Sequence, residues 1–351
     1  MQIRKAICRI FGQKPVRVQA EPVADESGMS NRVASGSAGV MRYEAAFRSG
    51  KTVSFVGKCK SVRIISNGIL MVSGGNPLLM LLLIFHHKIF GYSGSAVREA
   101  VLYSKPDVLP QTLIPTVYGS VCSKGNGFCM LAMEELPESD AIEPALDRVL
   151  DEIAAVHAKY LGDRAIVPQL RINCYSAADY RRTKGVLRRM FQSLAGENRR
   201  IFSAQQLAEI ERFLAQIDTE YKAVSGRRTL THNDCCDRNL CVTAERIYLY
   251  DWELACYQNP EHDAVELVIS VLDALTDDEA KAMLRHYRDR MTALTGITLT
   301  DAEYHALLRF NTLEFCVNKL MLLRLAGKTL HVDTPQQTAK NTARMLRLLG
   351  I

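Results

Sequence analysis

The stretch LTHNDCCDRNLCVTAERIYLYDWE, Leu230 to Glu253, gathers one histidine, two asparagines and five acidic residues around a short apolar segment. Its pattern predicts two strands, Asn239 to Val242 and Ile247 to Tyr250, around the polar turn TAER. A hairpin brings its ends together, so Asn239 and Asp251 become neighbours in space although twelve positions separate them. An amide oxygen and a carboxylate make a hard ligand set, which suits Mg2+ with water and phosphate completing the octahedron. Asp234 stands five residues before Asn239 in an irregular loop, from which it could face the same space. Such a set fits phosphoryl transfer, in which one carboxylate orients the attacking hydroxyl while metal and lysine stabilise charge on phosphate oxygens. Two other readings of these residues stay open: an ordinary Asx-rich hairpin, and a cysteine nucleophile, Cys235 or Cys236, beside His232. No serine sits in a GxSxG elbow, and Cys235, Cys236 and Cys241 lack zinc-ligand spacing.

The elements that would position this chemistry follow from periodicity. GVMRYEAAF and TVSFVGKCK alternate on either side of the Ser49-Gly50 turn and predict a hairpin. With a period of two, Val53, Phe55 and Gly57 share one face, and Lys58 and Lys60 lie on the other with Ser54 and Val56. A further strand is expected near 62–65. Leu78 to Phe85 reads as a buried helix opened by Pro77, and SGSAVREAVLYSKP as a helix that starts near Ser93 or Ser95 and stops before Pro106. LIPTVYGSVC and GFCMLAMEELP predict a second hairpin. After Pro137 helical periodicity dominates, with helices expected over 178–194, 204–224, 263–275, 278–294, 302–324 and 334–349. This change of texture sets the expected boundary between residues 1–136 and 137–351.

A single core rarely grows beyond about 250 to 300 residues, so a chain of 351 residues is expected to form two lobes. Residues 1–100 carry +9 and the remainder −3, a skew that suits an anionic ligand near the N-terminal half and equally a plain basic surface. Without long basic runs or zinc-finger spacing, nucleic-acid binding is not expected. Ten irregularly placed cysteines with no CxxC pair read as reduced, buried thiols in a cytoplasmic protein. The apolar run of eight residues is far below the roughly 20 that span a bilayer.

THNDCCDRNLCVTAERIYLYDWE resembles the catalytic segment of the aminoglycoside phosphotransferase and choline kinase-like family, whose pattern is HxDxxxxN followed by a strand ending in aspartate. The resemblance implies an α+β, bilobal protein-kinase-like fold with a small N-terminal sheet lobe and a larger, mainly helical C-terminal lobe. It implies a Mg-dependent small-molecule kinase that uses ATP and Mg2+ as cofactors. Asp234 then matches the catalytic aspartate, Asn239 and Asp251 the metal ligands, and His232 a histidine that supports the loop. Asp263 resembles an aspartate that braces the loop from the next helix. Lys58, with Lys60 as the alternative in register, resembles the strand lysine that holds ATP phosphates, and Glu99 the helix glutamate that pairs with it. Ser35, Gly36, Ser37 and Gly39 resemble a phosphate loop, a role for which 28–31 competes; no Walker loop is present. Ala132, Met133 and Glu134 resemble the segment that meets the adenine edge.

Asn233 departs from the pattern where many relatives carry glycine, and CCDR replaces apolar and glycine-containing residues. Trp252 after Asp251, with no evident activation loop, separates the chain from protein kinases. For the acceptor, an amino sugar or amino alcohol would find counter-charges among Glu253, Glu261, Asp263, Glu266 and Glu314, while Tyr304, Cys316 and Asn318 would suit an uncharged pocket. A nucleotide-binding pseudokinase or scaffold is the principal alternative, and a protein kinase a further one. No interface diagnostic of a homodimer stands out.

Overall fold

The computed structural model describes residues 2–23, 39–60, 69–91, 94–123, 128–331 and 334–351. The predicted strand at 62–65 and the glycine-serine residues Ser35, Gly36 and Ser37, with their competitor at 28–31, lie outside the described residues.

Among the described residues, five antiparallel strands form the N-terminal sheet: β1 (Pro15–Pro22), β2 (Gly39–Phe47), β3 (Thr52–Lys60), β4 (Val117–Cys122) and β5 (Cys129–Met133), in the order β1-β2-β3-β5-β4. Both predicted hairpins form. β2 and β3 pair from Ala46 opposite Thr52 to Gly39 opposite Cys59, and the turn between them uses Gly50 at φ 79°. One face of this sheet is covered by a helix that the periodicity reading had not assigned, α1 (Gln2–Phe11). Its Ala6 and Ile7 join Tyr43, Phe55, Cys59 and Met130 in a core of their own. Gly57 is required on that face: a Cβ there would meet the Tyr43 ring at 2.5 Å. The close approach of Tyr43 therefore fixes the strand and, with it, the opposite orientation of Lys58.

Between β3 and β4 lie α2 (Pro77–His86) and α3 (Ser95–Tyr103). The buried-helix reading of 78–85 needs correction. Leu79 and Leu83 are buried, but Leu78 and Leu81 are about half exposed and Phe85 is 72% exposed, because one side of α2 packs on the helical part and the other faces outward. The cysteine reading needs correction as well: Cys122 and Cys129 are disulfide-bonded across the β4–β5 hairpin, and the other eight cysteines are free.

The C-terminal part contains α4 (Leu146–Lys159), α5 (Ala177–Ser193), α6 (Ala204–Val224), α7 (Glu261–Val271), α8 (Asp277–Thr295), α9 (Asp301–Val317), α10 (Lys319–Leu330) and α11 (Thr334–Leu348), besides the short helical segments Ile166–Leu170 and Ala195–Ile201. Capping boxes open α5, α6, α8 and α9, pairing Ser176 with Asp179, Ser203 with Gln206, Thr276 with Glu279, and Thr300 with Glu303. Each cap satisfies otherwise orphaned N–H groups, which contributes about 1 kcal/mol to the helix start. The single helix expected over 302–324 is interrupted at Asn318, whose backbone (φ −100°, ψ −86°) ends α9 and starts α10. Among the helices, β6 (Asn173–Cys174), β10 (Cys256–Gln258) and β7 (Thr229–Thr231) form a small sheet, and β8 (Leu240–Val242) pairs with β9 (Ile247–Leu249). No helix among the described residues is long and apolar enough to cross a membrane.

Candidate active site

β7 delivers the chain into the loop 232–239, and β8 and β9 form the predicted hairpin, with Leu240 opposite Leu249. The amide of Tyr250 donates to the Asn239 carbonyl at 3.0 Å, so Asn239 and Asp251 stand side by side at the open end of the ladder. Asp251 adopts the left-handed conformation at φ 66°. Such backbone costs about 1 to 3 kcal/mol in a non-glycine residue and persists where surrounding contacts enforce it.

Those contacts come from the sheet lobe. Lys58 Nζ reaches Asp251 Oδ1 at 2.5 Å and Glu99 of α3 at 2.9 Å. Lys60 turns to Glu253 instead, two residues beyond Asp251. Glu99, Asp251 and Glu253 bring carboxylate oxygens within 4.8 Å of one another, and the two ammonium groups offset their repulsion. Burial acts to raise the Asp251 carboxyl, but Lys58 and Lys60 prevail and leave it below its ordinary value. Lys58 is held protonated by Asp251 and Glu99 against the opposing effect of burial. Lys60 is lowered to about 8 by burial and by the neighbouring Lys58 charge. Arg98, next to Glu99 and almost fully buried, donates to the Gly91 carbonyl at 3.0 Å and to the Glu253 carbonyl, clamping α3 to the segment after Asp251.

One face of α7 holds the loop. Asp263 accepts the amides of His232 at 2.6 Å and Asn233 at 2.9 Å. Glu266 accepts the amide of Cys235 at 3.1 Å, and Ser270 that of Asp237 at 3.0 Å. Residues 263, 266 and 270 share a helical face by their spacing of three and four. Burial raises the Asp263 carboxyl, but the His157 hydrogen bond and the nearby histidines bring it down to about 2. His157 also meets Tyr287 of α8 at 2.7 Å, so the brace continues across three helices. Asn233 occupies the left-handed region at φ 62°, a conformation that glycine adopts freely and that asparagine tolerates. Its side chain donates to the Leu254 carbonyl at 3.0 Å and accepts from Gln258 at 2.7 Å.

His232 is fully buried, with Nε2 2.8 Å from the Tyr250 carbonyl and Nδ1 3.2 Å from the Asp234 amide. A carbonyl can only accept and an amide only donate, so this histidine carries its proton on Nε2 and acts as an internal strut. Asn239 donates through Nδ2 to the Asp234 carbonyl at 2.8 Å. Among the described residues no donor engages the Asn239 side-chain oxygen or Asp251 Oδ2, and two uncommitted oxygens on adjacent residues fit a hard cation. The Asp234 carboxylate is paired through Oδ1 with Lys319, the first residue of α10. Burial acts to raise the Asp234 carboxyl, but Lys319 and Arg238 hold it well below the ordinary carboxylate range.

Beside the loop lies a cavity of about 570 Å³ between 139–143, the 236–240 segment, α7, α10 and α11. Asp140, Glu143, Asp237, Glu266 and Asp273 line it together with Arg238 and Lys319. Of the five acids named as counter-charges, Glu266 alone lines this cavity. Glu253 is taken by the lysines, Glu261 pairs with Arg227 at 3.4 Å, and Glu314 accepts from Tyr180 and Asn318. Tyr304 donates to the Leu284 carbonyl within the core and Cys316 is fully buried, so neither they nor Asn318 reach the cavity.

The remaining predicted residues are placed less directly. Gly39 opens β2 opposite Cys59, one residue from the Lys58 pairing. Ala132 and Met133 lie in β5, where Ala132 pairs with both Gly57 and Gly119, and the Glu134 amide donates to the Thr116 carbonyl at 2.8 Å. The Glu134 amide is thereby committed to the exit of the sheet.

A family model described as phosphotransferase enzyme family matches residues 106–297. No curated protein matches the sequence. Among solved structures, the chain resembles choline kinase LicA from Streptococcus pneumoniae at 13% identity, covering 95% of this chain and 94% of that one with a TM-score of 0.50. It also resembles macrolide 2'-phosphotransferase MphH from Brachybacterium faecium at 17% identity, with 97% of both chains covered and a TM-score of 0.50. A putative fructosamine-3-kinase from Haemophilus somnus is similar at 12% identity, again with 97% of both chains covered and a TM-score of 0.50. The shared architecture is the protein-kinase-like fold, a sheet-rich N-terminal part on a mainly helical C-terminal part.

Proposed function

The chain belongs to the phosphotransferase enzyme family, and on that premise we propose that it transfers the γ-phosphoryl group of ATP to a hydroxyl of a small molecule. The observation that carries this reading is the convergence of Lys58 and Glu99, from the sheet lobe, on Asp251 of the metal-type hairpin. A buried group of opposite charges is costly to assemble and makes sense where it orients a charged ligand.

Asp234 is the catalytic residue in this reading. Its Oδ2 takes the acceptor's proton as the hydroxyl oxygen bonds to the γ-phosphorus, while the bond to the bridging oxygen breaks and ADP leaves with that electron pair. Lys58, kept in place by Glu99, binds phosphate oxygens. Asn239 and Asp251 would hold Mg2+, which when bound neutralises charge on the phosphate oxygens. His232 and Asp263 keep the loop in register. Ser35, Gly36, Ser37 and Gly39 are assigned to the phosphates, and Ala132, Met133 and Glu134 to the adenine side. The nucleotide belongs to residues 1–136, the acceptor to 137–351, and the location is cytoplasmic, a reading that the eight free cysteines favour and the Cys122–Cys129 disulfide does not.

The acceptor is an amino sugar, an amino alcohol or a related metabolite. Five carboxylates against two cations in the cavity lining favour a cationic alcohol there. The test is an ATP-consumption screen with magnesium across amino sugars, amino alcohols and other hydroxylated metabolites. Acceptor-dependent ADP release is expected, and its absence across that panel together with no magnesium-dependent ATP binding would contradict the proposal.

A further inference from the structure

We propose that Lys319 is a positioning residue for transfer, gripping one oxygen of Asp234 so that the other faces the acceptor hydroxyl. The inference rests on the phosphotransferase reading given above and adds a residue that the HxDxxxxN pattern does not contain.

The Lys319 ammonium is held on three sides. It contacts Asp234 Oδ1, Glu266 Oε1 and, at 3.3 Å, the Asn233 carbonyl. Glu266 uses its second oxygen for the Cys235 amide. Residues 233, 234 and 235 are thus all tied, directly or through Glu266, to one lysine from a helix more than eighty positions away. Among the described residues the other partner of the Asp234 carboxylate is the Cys236 thiol, at 4.0 Å and also on Oδ1. Among the described residues no donor reaches Oδ2. A carboxylate with both oxygens unrestrained can rotate about its terminal bond, and gripping one oxygen fixes the direction of the other.

The position of Lys319 is itself unfavourable to its helix. It is the first residue of α10, where the aligned peptide dipoles favour an anion, and the first turn holds no acid to compensate. The break at Asn318 ends α9 and makes Lys319 the first residue of α10. Lys319 is mostly shielded from solvent at 16% side-chain exposure, and it borders the cavity assigned to the acceptor. A mere surface ion pair would satisfy none of these conditions together.

The test compares Lys319→Met, Lys319→Arg and Lys319→Ala with the wild type on the best acceptor from the panel. Misplacing the reactive group by about 1 Å costs on the order of 100-fold, and a loss of that size in kcat is expected for Lys319→Met with KM for ATP within about twofold. Lys319→Arg, which keeps the charge, is expected to recover part of kcat, and ethylamine added to Lys319→Ala to restore some of it. A Lys319→Met variant with wild-type kcat, or one whose kcat, ATP affinity and melting temperature fall together without rescue, would overturn the assignment. Absence of turnover in the wild type would contradict the phosphotransferase reading and this assignment with it, whereas a fully active Lys319→Met contradicts this assignment alone.

Discussion

Lys58 and Asp251, 193 positions apart in sequence, meet at 2.5 Å between the sheet-rich and helical parts of the chain. The contact joins the strand that Tyr43 fixes from behind to the hairpin that Asn239 opens. It makes the relative placement of the two lobes an electrostatic matter as well as one of packing.

Replacing Lys58 by methionine leaves Glu99 and Asp251 facing each other in a buried site. Uncompensated buried charge costs about 3 kcal/mol, and the expected result is a lower melting temperature together with loss of magnesium-dependent ATP binding by fluorescence titration. Lys60, already engaged with Glu253, is expected not to compensate. Unchanged nucleotide affinity would remove Lys58 from its role and return Lys60 to consideration.

Asp263→Asn tests the brace beneath the loop. In the folded chain this carboxyl lies at about 2, below its ordinary value of 3.8, so folding favours the ionised form. The contribution, roughly 2 kcal/mol, is complete above about pH 4 and is lost as the pH falls toward 2. Urea unfolding is expected to show a stability gap between wild type and variant at pH 6 that narrows at pH 3. A gap that stays constant with pH would contradict the linkage.

Gly57→Ala tests the positioning of Lys58 from the opposite face of β3. The added methyl meets the Tyr43 ring at 2.5 Å and the Met130 side chain at 3.0 Å, and overpacking of this kind costs about 1 to 3 kcal/mol. A reduced melting temperature is expected, and a weaker KM for ATP in any turnover that remains. Wild-type stability would mean that Tyr43 moves aside freely.

Asn233→Gly keeps the left-handed backbone and removes the hydrogen bonds to Leu254 and Gln258. Asn233→Ala loses both the bonds and the tolerance for φ 62°. Alanine is therefore expected to be less stable than glycine by about 1 kcal/mol in thermal unfolding. The reverse order would show that the side-chain bonds outweigh the backbone.

The hairpin around TAER and the neighbourhood of Asn239 and Asp251 could be read from the sequence because strand alternation and turn residues are local signals. Lys58 could be separated from Val53, Phe55 and Gly57 by the same alternation. Lys319 could not, because 85 positions separate it from Asp234 and no local pattern links a lysine inside a helical stretch to that loop. Glu266 and Ser270 did leave a trace, the spacing of three and four from Asp263, although nothing local indicates that this face meets backbone amides. The outward face of α2 escaped for a related reason: a run that is apolar all round has no periodicity to say which side is covered. The acids of the cavity come from 140–143, 237 and α7 with its exit, and only the tertiary fold brings those segments together.

The most direct measurement of the central claim is mass-spectrometric detection of a phosphorylated acceptor after incubation with Mg·ATP, comparing the wild type with Asp234→Asn. The predicted result is product with the wild type, a loss of at least about 100-fold in the variant, and nucleotide binding retained in both. Equal product from the two proteins would contradict the assignment of Asp234 and, with it, the account of how this site works.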